Sequence, residues 1–163
     1  MIRLIIGNHQ VTAVADAQSH SEPYDATPDS LWRAALAAAR ATTGLAPYDA
    51  TALEITTDTG LVAIWDVETL GSPSALLSAS EVAGLRDTAP HLWVLMEAGR
   101  YAVGTLESYL VARLTRGTWH LTTSTRPLTA PDASRPEAIS PGDTPARTEP
   151  SVFLGLEVAI RLG

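Results

Sequence analysis

The sequence predicts an α/β domain, a mixed, hairpin-rich sheet with three or four helices, and leaves an α+β open sheet or barrel as the alternative. Three observations lead there. Short, β-branched apolar runs stand at Ile2 to Ile6, Ala52 to Thr57 and Leu61 to Asp66, each of strand length. Between the first two lies a stretch whose apolar residues recur at helical spacing, Leu31, Trp32, Ala35, Leu36 and Ala39. The chain has 163 residues, 45% of them hydrophobic and 18% charged, which is the size and composition of one domain with a real core.

Taken in order, Ile2 to Ile6 is a strand that Gly7-Asn8-His9-Gln10 interrupts, and Val11 to Ala15 follows with alternating valines. Glycine and asparagine tolerate the positive φ of a tight turn, so strand, turn, strand is the reading. Residues 17–27 are polar and contain Pro23, which predicts a loop. Thr27-Pro28 supplies an N-cap with proline in the first turn, and Gly44 stands where a helix stops. The runs on either side of Asp58-Thr59-Gly60 read as a hairpin. Ser80 is placed to cap a short helix from Glu81, and His91 to Ala98 reads as another helix stopped by Gly99. From Thr105 to Leu114 both periods fit, and the length with the Arg116-Gly117 stop favours helix; the alternative makes 106–123 a hairpin. Thr118 to Thr123 then forms a strand.

Residues 127–150 hold six of the eleven prolines and four acidic residues, with almost no large apolar side chain. Such a stretch cannot build a core and reads as a linker or long exposed loop. Beyond it Val152, Leu154, Leu156, Val158, Ile160 and Leu162 alternate without a break, the pattern of a strand with one buried face. The expected organisation is a single core over 1–126, a proline-rich linker over 127–150, and a C-terminal strand over 151–163 that returns to the core.

Composition excludes several activities. All eleven basic residues are arginine and cysteine is absent, which removes Schiff-base lysine chemistry, the Walker-loop lysine, disulfides, thiol nucleophiles and thiolate metal sites. A net charge of −7 with scattered arginines suits neither nucleic acid nor any phosphate-rich partner. No apolar stretch reaches the roughly 18 residues of a membrane span, and the opening run is too short for a signal peptide, so a soluble, cytoplasmic protein is expected.

Candidate functional residues are few. His9 and Asn8, beside Gly7, could contact a ligand through a concave backbone turn, although a plain hairpin turn explains them as well. Asp58 and Asp66 flank the expected hairpin and could pair for acid–base work, against the simpler reading of a turn aspartate and a strand-end aspartate. Trp65 is one of four tryptophans, which could line a pocket or fill the core. The ligand-binding set is therefore His9, Asn8, Asp58 and Trp65. No catalytic residue, metal site or cofactor is expected: His20-Ser21-Glu22 offers two ligands where structural zinc needs four, and His91 reads as a surface or capping residue. The helix from His91 to Met96 is apolar nearly all round, so it is either deeply buried or meets a partner chain.

Three segments, in order, resemble the N-terminal lobe of the FGGY carbohydrate kinases, in their glycerol kinase-like form. The first is Leu31-Trp32 through Gly44-Leu45-Ala46-Pro47 to Leu53-Glu54-Ile55-Thr56. The second is Leu61 to Asp66 with Glu68-Thr69 and Gly71-Ser72-Pro73. The third and most specific is Gly104-Thr105-Leu106-Glu107-Ser108-Tyr109-Leu110-Val111, followed by Arg113-Leu114-Thr115, Gly117, His120 and Thr122. Together they cover roughly residues 28–126. The resemblance implies an RNase H-like kinase lobe and at the same time removes its activity. Where the family has an arginine and a glutamate for polyol hydroxyls, this chain has Thr59 and Gly60; its substrate-side tyrosine falls at Ser124. The aspartate and threonine of its phosphate turn fall at Ile5 and Asn8, and the second lobe has no counterpart here. The expected function is a non-catalytic binding or assembly module resembling a degenerate, truncated kinase lobe, without phosphoryl transfer. The alternatives are a small cofactor-free enzyme with a tryptophan-lined pocket and an acidic inhibitor or immunity-type protein. The partners these readings allow are a second copy of the chain, another protein, or a small apolar ligand, with no nucleic acid and no membrane.

Overall fold

The computed structural model describes residues 2–44, 52–57, 59–98, 100–114, 116, 147–150 and 157–162. The first half forms β1 (Ile2–Ile6), β2 (Gln10–Ala15), β3 (Gln18–Pro23), α1 (Pro28–Thr43), β4 (Ala52–Thr57) and β5 (Leu61–Asp66). There follow β6 (Leu77–Ser78), α2 (Ala79–Thr88), α3 (Pro90–Glu97), β7 (Tyr101–Thr105), α4 (Leu106–Leu114), β8 (Arg147–Pro150) and β9 (Glu157–Leu162).

Among the described residues, two open sheets and four helices make an α/β fold. The larger sheet has the order β3-β2-β1-β4-β9-β8, the smaller β6-β5-β7. In the larger, β1 to β3 form an antiparallel meander, β4 lies parallel to β1, and β9 lies parallel to β4 with β8 antiparallel at the edge. A meander followed by strands parallel to its first member is the RNase H-like arrangement.

Local sequence explains most of the elements. In β1, Ile2, Leu4 and Ile6 point into the core while Arg3 faces out, as alternation demands. Helix α1 begins where Thr27 accepts the Ser30 N–H (3.2 Å) and ends at Gly44, whose φ of 77° is left-handed and suits glycine. Its buried face is Leu31, Trp32, Ala34, Ala35, Ala38 and Ala39, and the small alanines let the helix lie close against β2 and β3. Strand β5 is buried along Val62, Ala63, Ile64 and Trp65, as expected of a central strand covered on both faces.

Three expectations change and one strand is new. Of the expected loop over 17–27, residues 18–23 are a strand: β3 pairs with β2 from Gln10↔Pro23 to Ala15↔Gln18. Its residues are nearly all exposed and polar, so it carries no apolar alternation, and its place comes from the backbone ladder and the Asp16 turn (φ 52°). The runs flanking residues 58–60 do not form a hairpin. Strand β4 is flanked by β1 and β9, and β5 by β6 and β7, so the two belong to different sheets. The cap of α2 is Ser78 and not Ser80: Ser78 Oγ accepts the Glu81 N–H (3.2 Å) while the Glu81 carboxylate accepts the Ser78 N–H (3.0 Å). Tyr101–Thr105 is a strand with no forecast in the sequence reading, and α4 starts after Thr105, whose hydroxyl accepts the Ser108 N–H (3.3 Å). Leu106–Leu114 is helical, in keeping with the favoured reading of that stretch. The expected strand at 118–123 lies outside the described residues.

Helix α3 is not deeply buried all round; its apolar residues divide between a buried and an exposed side. Leu92, Trp93 and Met96 are buried, whereas Val94 is 59% and Leu95 40% exposed. No described helix is long and apolar enough to cross a membrane.

Candidate functional site

The turn between β1 and β2 is closed on itself. The Gly7 N–H donates to the Gln10 carbonyl (2.9 Å), the Tyr24 hydroxyl donates to the Gly7 carbonyl, and the Tyr24 N–H donates to the His9 carbonyl (3.0 Å). Tyr24 is itself buried, so one anchored residue braces the turn through two of its carbonyls. Asn8 and His9 are exposed at its tip. Asp58 lies outside the described residues. Trp65 is fully enclosed, its ring 5.8 Å from that of Tyr109 and tilted by 57°. Gly104 sits so close beneath it that an added Cβ would fall 2.6 Å from the indole, which is why a side chain is excluded there. Of the four sequence candidates, Asn8 and His9 share one turn of the larger sheet, while Trp65 lies in the core of the smaller sheet.

Asp66 has a structural occupation. Its carboxylate accepts the N–H groups of Glu68 (2.8 Å) and Thr69 (3.1 Å) and the Nε–H of Arg100 (2.8 Å), and Arg100 also reaches Glu68 (2.8 Å). Burial pushes its pKa up, but the two backbone donors and the Arg100 guanidinium outweigh that and hold it below the ordinary carboxylate value. A carboxylate so committed is an anchor, not a proton shuttle. What it anchors is the loop after β5, where the Asp66 N–H donates to the Gly71 carbonyl (2.7 Å) and the Leu70 N–H donates to the Asp66 carbonyl (2.8 Å). Leu70 takes a left-handed φ of 64° within this closed turn.

That loop forms one wall of a groove. Its far end is pinned where the Leu76 N–H donates to the Ala26 carbonyl (2.8 Å), just before α1. Between loop, α1 start and α4 end lies a pocket of about 400 Å³, lined among others by Asp29, Leu70, Ser72, Pro73, Tyr109 and Arg113. A second pocket of about 290 Å³ shares Leu70 and Arg113 and adds Trp32, Thr69 and Arg116. The first volume lies within the ~300–1,000 Å³ usual for small-molecule sites.

Arg113 stands where the two pockets join. Its guanidinium lies 5.1 Å from the centre of the Trp32 ring, a cation–π distance, and 4.0 Å from Asp29, too long for a hydrogen bond. Burial pushes the pKa of Tyr109 up, so it stays a neutral phenol. Asp29 is engaged by Arg33, one turn along α1. Sequence reasoning missed this groove. Its residues come from three separated segments; Trp32 was among the four tryptophans that could line a pocket or fill the core, and Arg113 carried no functional forecast.

Glu107 is a carboxylate without a forecast. It is fully buried in the first turn of α4, beside Ser108 and Thr105, whose hydroxyls lie 3.1 Å apart. A helix N-terminus favours negative charge, which is a physical reason for its position. Among the described residues, no three histidine, aspartate or glutamate side chains are grouped to hold a metal ion.

The sheet order and the helices covering it define the class of fold, a mixed α/β fold consistent with a kinase lobe. The solved structures that resemble it agree. Plasmodium falciparum glycerol kinase, solved with ADP, superposes with a TM-score of 0.65 at 10% identity, over 99% of this chain and 47% of the kinase. The ligand-bound xylulose kinase of Lactobacillus acidophilus gives 0.55 at 13% identity, over 99% and 47%. The xylulose kinase of Rhodospirillum rubrum gives 0.51 at 17% identity, over 97% and 47%. The chain thus spans about half the length of these kinases, and at such identities the likeness is one of fold. By sequence the chain matches no protein-family model and no curated protein.

Proposed function

We propose that the chain is a degenerate FGGY-type kinase lobe that works as a binding or assembly module and transfers no phosphate. The observation that carries this reading is the β1–β2 turn. A phosphate cradle needs backbone N–H groups directed outward, with positive charge or a metal-binding carboxylate nearby. Here the Gly7 N–H is turned inward onto Gln10. Ile5 and Asn8 occupy the positions where the family resemblance puts the aspartate and threonine. A net charge of −7 without any lysine adds long-range repulsion of a nucleotide. The test is calorimetric titration with ATP and magnesium. No saturable heat is expected; binding tighter than about 100 μM, well inside the usual substrate range, would overturn the reading and restore a nucleotide site.

A further inference from the structure

The groove between the start of α1, the loop after β5 and the end of α4 carries a more specific assignment. It rests on the binding-module reading above and names the ligand. Three of the groove's hydroxyls already hold partners within the protein. Thr27 donates to Asp25 (2.8 Å) and accepts from Ser30, Ser74 donates to the Ala75 carbonyl (3.0 Å), and Thr69 accepts the Gly71 N–H (3.3 Å). A neutral, hydroxyl-rich ligand would find few side-chain partners there.

Charged donors are a different matter. A guanidinium has five N–H groups, and Arg113 spends few of them on its neighbours: Asp29 at 4.0 Å is beyond hydrogen-bonding distance, and the Trp32 contact uses the face of the cation. The Arg113 side chain is only 24% exposed, so it is held in place and largely desolvated, which strengthens a contact with an anion. Arg116 adds a second guanidinium to the same lining. Against these stands Asp29, which Arg33 already neutralises. In a protein of net charge −7, the groove is a local reversal of sign. The apolar part of its lining comes from Trp32, Leu70, Pro28, Pro73 and Ala75. Both walls are fixed before any ligand arrives, the loop by Asp66 and by the Leu76–Ala26 hydrogen bond, the helices by the core. Such preorganisation lowers the ordering cost of binding.

We propose that this groove binds a small organic carboxylate, its oxygens on Arg113 and Arg116 and its apolar body against Trp32, Leu70 and Pro73. The paired requirement separates this ligand from an inorganic anion, which leaves the apolar wall unused, and from a neutral isostere, which leaves the arginines unused.

The experiment is calorimetric titration with benzoate, benzamide and inorganic phosphate, followed by the indole N–H signal of Trp32 in nuclear magnetic resonance. Benzoate is expected to saturate below about 1 mM, the weak end of ordinary substrate affinities, and to shift the Trp32 signal. Benzamide and phosphate should bind at least about tenfold more weakly, and raised ionic strength should weaken benzoate. Arg116→Gln and Arg113→Gln should each lower benzoate affinity about tenfold, as loss of a charge-assisted hydrogen bond implies. Should Arg113→Gln fail to fold by circular dichroism, the exposed Arg116→Gln decides. Absence of saturation by benzoate, equal binding of benzamide or phosphate, or unchanged affinity in Arg116→Gln would each overturn the assignment. None of these results touches the nucleotide titration, so the ligand can fail while the non-catalytic reading stands, and the reverse.

Discussion

At the scale of single residues, the polar side chains with most consequence are those that hold a loop, and Asp66 is the clearest. It is a strand-end aspartate by sequence, with nothing to distinguish it from Asp58 as half of an acid–base pair. Only its surroundings decide: two backbone donors and a guanidinium converge on it, and its proton affinity falls below the ordinary value of 3.8. A depressed carboxyl contributes stability that is fully present above its unfolded pKa and is lost as pH falls through the lower, folded value. Asp66→Asn keeps an acceptor for the loop but loses the charge facing Arg100. It should therefore cost about 1–3 kcal/mol at pH 7, the range for removing a hydrogen-bonded charge. The gap between wild type and variant should narrow as pH drops below 3.8. Urea unfolding of both proteins at several pH values measures it. A gap constant from pH 7 to pH 3 would mean that the carboxylate charge contributes nothing.

At the scale of elements, what was legible depended on where the information lies. Helix α1 was legible at both ends because its signals are local, Thr27 and Pro28 at one end and Gly44 at the other. Strand β3 was not, because a polar edge strand is specified by its partner; no residue in Gln18–Pro23 announces the ladder with β2. The pairing of β4 with β5 was misread for a related reason. Asp-Thr-Gly is good turn chemistry, but each strand finds better partners on both sides in separate sheets. Among the site residues, Asn8 and His9 were placed correctly in a turn, yet the groove at Arg113 was invisible, since only tertiary folding brings Trp32, Leu70 and Arg113 together. Helix α2 allows a direct check on local signals. The sequence pointed to Ser80 as its cap, and the reciprocal bonds of Ser78 and Glu81 put the cap at Ser78 instead. The same bond from the Ser78 N–H is the largest influence lowering the Glu81 pKa. Ser78→Ala should destabilise the protein by about 1 kcal/mol, as cap removals do. Ser80→Ala, exposed and outside the box, should stay within about 0.5 kcal/mol of wild type. Equal costs in thermal or urea unfolding would place the cap elsewhere.

At the scale of the whole molecule, the larger sheet is assembled from both ends of the chain. The register Ala52↔Ala159 to Ile55↔Leu162 puts β9 alongside β4, so the last strand in the sequence pairs with one laid down before α2 to α4. This has two physical consequences. Closing so long a loop costs entropy that grows only slowly with its length, so the return of the strand is thermodynamically cheap. Its removal is not, because β4 would become an edge, with a row of N–H and C=O groups offered to water or to another chain. Deleting residues 151–163 takes away β9 and, with it, the partner of β8. The truncated protein should melt well over about 4 °C lower, since each kcal/mol is worth about 2–4 °C in a chain of this size. It should also elute larger than a monomer on size exclusion, as copies pair through the exposed β4 edge. An unchanged melting temperature with monomeric elution would mean that β1 and α1 suffice to hold β4, and that the C-terminal strand serves something other than this fold.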